Sequence, residues 1–111
     1  MAALTYKTID KQITKITSRI VRKFHPEKII LFGSYATGDA TRDSDIDLLV
    51  VMSVKGSKRR KAVEIGVALH NIKIPKDIIV TTPEEFEWRK DVCGTIEKPA
   101  FLHGKILYAR N

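Results

Sequence analysis

Two aspartates separated by one residue, Asp45 and Asp47, are the side chains of this sequence best placed to do chemistry. They open the apolar run Leu48-Leu49-Val50-Val51, and in an extended segment residues two apart point to the same face. Carboxylates held that close repel and raise each other's pKa unless a cation stands between them. Oxygen ligands of this kind suit Mg²⁺, which binds through one or two carboxylates and keeps positions for water and substrate phosphates. Asp77 heads a second apolar run, Ile78-Ile79-Val80, and adds a third carboxylate if a neighbouring strand, parallel or antiparallel, brings it alongside. Three such groups suit a two-metal centre: one ion activates an attacking hydroxyl while the other holds a triphosphate and stabilises the leaving pyrophosphate.

Gly33-Ser34 supplies the complementary feature. Glycine lets the backbone turn tightly and approach a ligand, and a short helix starting at Ser34 would aim free N–H groups and the hydroxyl at an anion. Two rival patterns fail on inspection. Gly33 and Gly38 have P-loop spacing, but Asp39-Ala40 stand where lysine and a hydroxyl residue are required. Asp43-Ser44-Asp45-Ile46-Asp47 opens like a calcium loop, yet Leu48 occupies the glycine position and Val54 that of the bidentate glutamate.

These residues need a scaffold, and the hydrophobic spacing outlines one. Ile9, Ile13, Ile16, Ile20 and Phe24 recur at helical period from Thr8 to Phe24, with Lys11, Lys15, Arg19 and Arg22 as a basic stripe opposite. Pro26 ends that helix and biases His25 towards an extended shape. Lys28 to Phe32 reads as a short buried strand. Ile46 to Met52 is apolar on both faces, as in a strand inside a covered sheet. Gly56-Ser57 opens a long helix whose buried stripe is Ala62, Ile65, Leu69 and Ile72, and after Pro75 a third strand runs from Asp77 to Thr81. Thr82-Pro83-Glu84-Glu85 has the pattern of a capped helix start, with the helix extending to about Val92 and stopping at Gly94. A short helix, Ile96 to His103, and a strand, Ile106 to Ala109, complete an α/β (α+β) chain whose helices and strands alternate.

With 111 residues the expectation is one domain, 1–111. At 43% hydrophobic and 30% charged residues it is globular rather than disordered. No apolar run reaches the roughly 20 residues of a membrane helix, the first residues lack a leader pattern, and a lone Cys93 excludes an intrachain disulfide. A cytoplasmic protein is expected. The net charge of +7 fits a polyanionic partner (nucleotide phosphates, nucleic acid or an acidic protein surface), or simply a lysine-rich soluble surface. Lys58-Arg59-Arg60-Lys61 opposes the dipole at a helix start, either to attract such a partner or as a solvated run. His25, His70 and His103 form no ligand pattern, and Phe86 and Trp88 read as packing or interface residues.

Gly33-Ser34, ten residues, then Asp45-Ile46-Asp47, set between Ile29-Ile30-Leu31-Phe32 and Leu48-Leu49-Val50-Val51, resembles the signature of the DNA polymerase beta-like nucleotidyltransferase superfamily. The short chain is similar over nearly its whole length to the minimal nucleotidyltransferases (MNT) of prokaryotes. That resemblance implies a mixed four-stranded sheet flanked by helices. It implies that Asp45 and Asp47 bind two Mg²⁺ ions, with Mn²⁺ as a substitute, and that Asp77 completes the site and helps activate the acceptor hydroxyl. Gly33 and Ser34 would hold the triphosphate of ATP. Related sequences often carry arginine where Thr37 stands, so that phosphate contact is either missing here or supplied by Arg42. The family also implies a partner. MNT proteins are commonly paired with a helical HEPN protein, usually a ribonuclease toxin, and act as antitoxins that transfer AMP to a toxin tyrosine. The other expectations are a non-catalytic antitoxin that masks its partner, and a nucleotidyltransferase acting on RNA or a small molecule.

Overall fold

Isoleucines at three- and four-residue intervals fix the first element of the computed structural model, which describes residues 6–110. Residues 1–5, on which the expectation of no leader rests, and Asn111 lie outside the described residues. Helix α1 (Tyr6–Phe24) turns Ile9, Ile13, Ile16 and Ile20 inward, the last two wholly buried. Burying a side chain of that size stabilises by roughly 1.5–3 kcal/mol. A change such as Ile16→Ala removes about 2–5 kcal/mol, because a cavity remains where the side chain was.

The chain continues through β1 (Lys28–Phe32), α2 (Ser34–Thr37), β2 (Ile46–Val51), α3 (Lys58–Ala68), β3 (Lys76–Thr81), α4 (Pro83–Arg89), α5 (Glu97–His103) and β4 (Lys105–Ala109). The strands form one mixed sheet in the order β3-β2-β1-β4. β1 runs antiparallel to β2 and β4, and β2 runs parallel to β3. A parallel pair needs a crossover connection, and α3 provides it. β2 is apolar on both faces because both are covered. Ile46, Leu48 and Val50 join the larger core with α1 and α3, while Leu49 and Val51 meet Phe86 of α4 and Ala100 of α5 in a smaller one. No described helix is long and apolar enough to cross a membrane.

Three boundaries depart from the sequence expectation. His25 is left-handed (φ 50°) rather than extended; its N–H closes the last turn of α1 on the Val21 carbonyl, and two residues on the Glu27 N–H reaches Val51 at 2.8 Å. α3 ends at Ala68, yet Leu69 and Ile72 stay buried because the turn folds over, the Ile72 N–H donating to the Leu69 carbonyl at 2.9 Å. α4 starts as expected, the Glu85 N–H donating to the Thr82 hydroxyl at 3.2 Å, but it stops at Arg89 rather than near Val92. There the Thr95 hydroxyl reaches back to the Arg89 and Val92 carbonyls, both at 2.9 Å, and these bonds curl the chain out of the helix.

Candidate active site

The strand directions bring the chemically suggestive residues to one end of the sheet. Because β1 is antiparallel to β2, the end of β1 lies beside the start of β2, with Phe32 opposite Asp47. Gly33 and Ser34 follow directly. Because β3 is parallel to β2, its start lies at the same end, and Asp77 stands in register with Asp47. Alternation puts Asp45, Asp47, Leu49 and Val51 on one face of the sheet. Along that face cover increases steadily: Asp45 is exposed, Asp47 half-buried, and Leu49 and Val51 are sealed beneath the layer of α4 and α5. The short helices α4 and α5 thus leave Asp45 and Asp77 exposed at the acidic end.

Gly33 is the position where glycine is required. Its φ of 74° and ψ of −157° are sterically closed to other residues, and a Cβ there would run into the Asp47 carboxylate. The Gly33–Ser34 turn and the acidic strand therefore approach each other too closely for any side chain at residue 33. From Ser34 the chain makes the single helical turn α2, whose leading N–H groups have no partner within the helix. Thr37 and Asp39 close the far end of that turn through a 3.0 Å hydroxyl–carboxylate bond.

The electrostatics of this end are unfavourable without a counter-charge. Burial, then the charge of Asp77, then that of Asp45 push the Asp47 carboxyl above its ordinary range. A divalent cation reverses each of these effects. Among the described residues no three acidic, imidazole or thiol side chains stand close enough to cage a metal by themselves. The donors that Asp45, Asp47 and Asp77 offer are all carboxylate oxygens, the donor type that hard divalent ions such as Mg²⁺ prefer.

The structure brings Asp45, Asp47, Asp77, Gly33 and Ser34 together at this end. Arg42 is exposed in the turn before β2 and makes no ion pair or side-chain hydrogen bond among the described residues. The basic run at α3 divides. Lys58 pairs with Glu85 at 2.7 Å and Lys61 with Glu64 at 3.1 Å, whereas Arg59 and Arg60 are exposed. Of the α1 stripe, Arg19 binds the Ala68 carbonyl and the Asn71 side chain, and Lys11, Lys15 and Arg22 face solvent. Two features escaped the sequence. Lys76, next to Asp77, donates to the Ile72 and Ile74 carbonyls and so pins the loop that delivers Asp77. Glu97 is a buried carboxylate that accepts from the Thr81 hydroxyl at 2.7 Å. Only the adjacency of a lysine to Asp77 was visible beforehand.

A mixed four-stranded sheet with carboxylates on two parallel strands beside a glycine–serine turn has the architecture of polymerase beta-like nucleotidyltransferases. The family model of the nucleotidyltransferase domain matches residues 11–103, and the chain belongs to that family. A candidate protein adenylyltransferase of Methanocaldococcus jannaschii is 47% identical over 47 residues, 40% of this chain and 47% of that protein. The protein adenylyltransferase MntA of Thermococcus cleftensis is 40% identical over 50 residues, 45% of this chain and 50% of that protein. The chain spans about half the length of these curated relatives. In structure, a candidate nucleotidyltransferase from Sulfolobus solfataricus matches with a TM-score of 0.57 at 24% identity, over 90% of this chain and 79% of the other. A toxin–antitoxin crystal structure with AMP-PNP matches with a TM-score of 0.53 at 21% identity, over 88% and 74%. At such identities the likeness is one of fold.

Proposed function

We propose that the protein transfers AMP from ATP to a hydroxyl of a partner protein, a tyrosine of a HEPN-family toxin, and thereby acts as its antitoxin. The observation that carries this reading is the register of Asp47 with Asp77 on parallel strands, with Asp45 two residues before Asp47 and the Gly33–Ser34 turn against the Asp47 carboxylate. Similarity to MntA, and the fold shared with a toxin–antitoxin structure containing an ATP analogue, support the substrate and the kind of partner.

In this mechanism Ser34 and the N–H groups of the α2 turn hold the triphosphate, and Arg42 closes on it from the following turn. Asp45 and Asp47 would hold two divalent ions, and Asp77 would complete the set. When bound, those ions neutralise the phosphates and lower the pKa of the acceptor hydroxyl. Asp77, at the open edge of the site, takes the hydroxyl proton and passes it to solvent. The oxygen forms a bond to the α-phosphorus, the bond from that phosphorus to the β-phosphate bridge oxygen breaks, and pyrophosphate leaves. The exposed rim beside Asp45 and Asp77 leaves room for a protein-borne hydroxyl.

The test is co-purification with the native partner, incubation with ATP and Mg²⁺, and intact mass. An AMP increment on the partner, absent with Asp45→Asn plus Asp47→Asn, is expected. If the double variant folds and still neutralises the partner in cells, neutralisation is by masking and the transfer reading fails.

A further inference from the structure

We infer that the outer edge of β4, with the groove that α1 forms beside it, is a docking site for an extended polypeptide segment with acidic flanks, added to the sheet as a further strand. β4 ends the strand order, with β1 on one side and no strand on the other among the described residues. The N–H and C=O groups along that outer side are a template on which another chain can pair. β3, which carries Asp77, lies at the opposite edge of the sheet, so this surface is separate from that strand.

Side chains on both faces suit a strand laid along this edge. A groove of about 570 Å³ runs between α1, with Thr14, Thr17, Val21 and Arg22, and β4, with Leu107 and Tyr108. Tyr108 stands opposite Ile29 and Ile106 opposite Ile30, so Leu107 is the extra residue of a bulge. Leu107 and Tyr108 both pack against the larger core beneath α1 and give the groove a half-buried apolar floor. Ile106 shares the other face with Ile30 and is 61% exposed. An added strand alternates its side chains between the two faces, one set entering the groove and the other lying beside Ile106. β4 has 5 residues, which at about 3.3 Å per residue accommodates a partner segment of similar length.

Charge decides between a second copy of this chain and an acidic partner. Lys105 opens β4, Arg110 follows its end and Arg22 lines the groove; all three are exposed and take part in no ion pair among the described residues. Lys11 and Lys15 lie on the same side of α1 as Arg22, and Asp10 is the one acidic residue of that helix. Two copies paired through β4 would bring these cations together on chains that each carry +7. Edge cations discourage such self-pairing. The same charges attract a strand that carries glutamate or aspartate at its ends.

Fluorescence anisotropy with the full chain tests this, using a labelled peptide of alternating valine and threonine flanked by glutamates. One control peptide has proline at its centre, which cannot donate to a strand ladder, and another has lysine flanks. The glutamate-flanked peptide binds the wild type, and each control binds about tenfold more weakly or worse. Amide hydrogen exchange slows in β4 on saturation with the peptide and is unchanged in β3. Lys105→Glu with Arg110→Glu, at exposed positions, keeps the thermal stability and reverses the preference, so that the lysine-flanked peptide becomes the tighter ligand. Failure of the glutamate-flanked peptide to bind, or equal binding of the proline control, overturns strand addition. So does protection appearing in β3 rather than β4. A preference that the double variant leaves unchanged overturns the charge assignment. A wild-type dimer in sedimentation, with β4 amides protected before any peptide is added, gives the edge to a second copy and overturns the acidic partner. Protection of β4 by oligouridylate but not by the peptide overturns it in favour of nucleic acid.

Discussion

Replacing Gly33 by alanine separates two costs that the structure places on one atom. The first is conformational: φ 74° with ψ −157° is a region essentially reserved for glycine, and holding alanine there costs about 1–3 kcal/mol. The second is steric, since the new Cβ overlaps the Asp47 carboxylate, and such overpacking adds about 1–3 kcal/mol. The combined loss is about 2–6 kcal/mol; at about 4 °C per kcal/mol for a chain of this length, Tm falls by about 8–24 °C. Only the second part depends on Asp47. With Asp47→Ala already in place, the nearest atom left is the Cβ of residue 47, 3.5 Å from the new methyl group and an ordinary contact. Urea unfolding of the four proteins followed by circular dichroism then gives a coupling of about 1 kcal/mol or more, with Gly33→Ala less harmful in the Asp47→Ala background. Equal cost in both backgrounds, with m-values unchanged, refutes the close approach of the turn to the acidic strand. No cost in either refutes the backbone argument as well.

Three other outcomes follow from the same structure. Asp47→Asn removes a carboxylate disfavoured by burial and by Asp77 and Asp45, so at neutral pH and without divalent ions the variant melts above the wild type; added Mg²⁺ with AMP-PNP raises the wild-type Tm and leaves the variant's unchanged. Glu85 is held below the usual carboxylate range, chiefly by its hydrogen bond from Lys58, so its contribution to stability is complete above an unfolded value near 4.5 and is lost as pH falls through the lower folded value. Acid titration of Glu85→Gln accordingly shows a shallower loss of stability in that window, and an unchanged profile contradicts the ion pair. Gly66→Ala stabilises by about 0.5–1 kcal/mol and raises Tm by about 2–4 °C, because it improves helix propensity without touching a neighbour; a lower Tm shows that the glycine is needed for packing.

Much of the scaffold was legible because local pattern decides it. The two-faced apolar stretch from Ile46 had to sit inside a covered sheet, and Thr82-Pro83 with Glu85 had to start a helix. Asp45 and Asp47 could be paired from spacing alone. Asp77 could not, since whether its strand runs parallel to β2 depends on a crossover that no local residue encodes. Helix ends were legible only where a side chain caps them. The end of α4 depends on the Thr95 hydroxyl reaching back six residues, and the handedness of His25 on where Glu27 must bond. The burial of Glu97 and the open space above Gly66 arise where separate elements meet, so they became visible only with the fold.

The central claim is that carboxylates from two parallel strands jointly hold divalent metal against a nucleotide. Electron paramagnetic resonance of Mn²⁺ titrated into the protein with AMP-PNP addresses it without any acceptor. The wild type should retain Mn²⁺ and nucleotide together, and Asp47→Asn and Asp77→Asn, each with its fold intact, should lose the metal. Retention of Mn²⁺ by both variants at wild-type affinity would contradict the account.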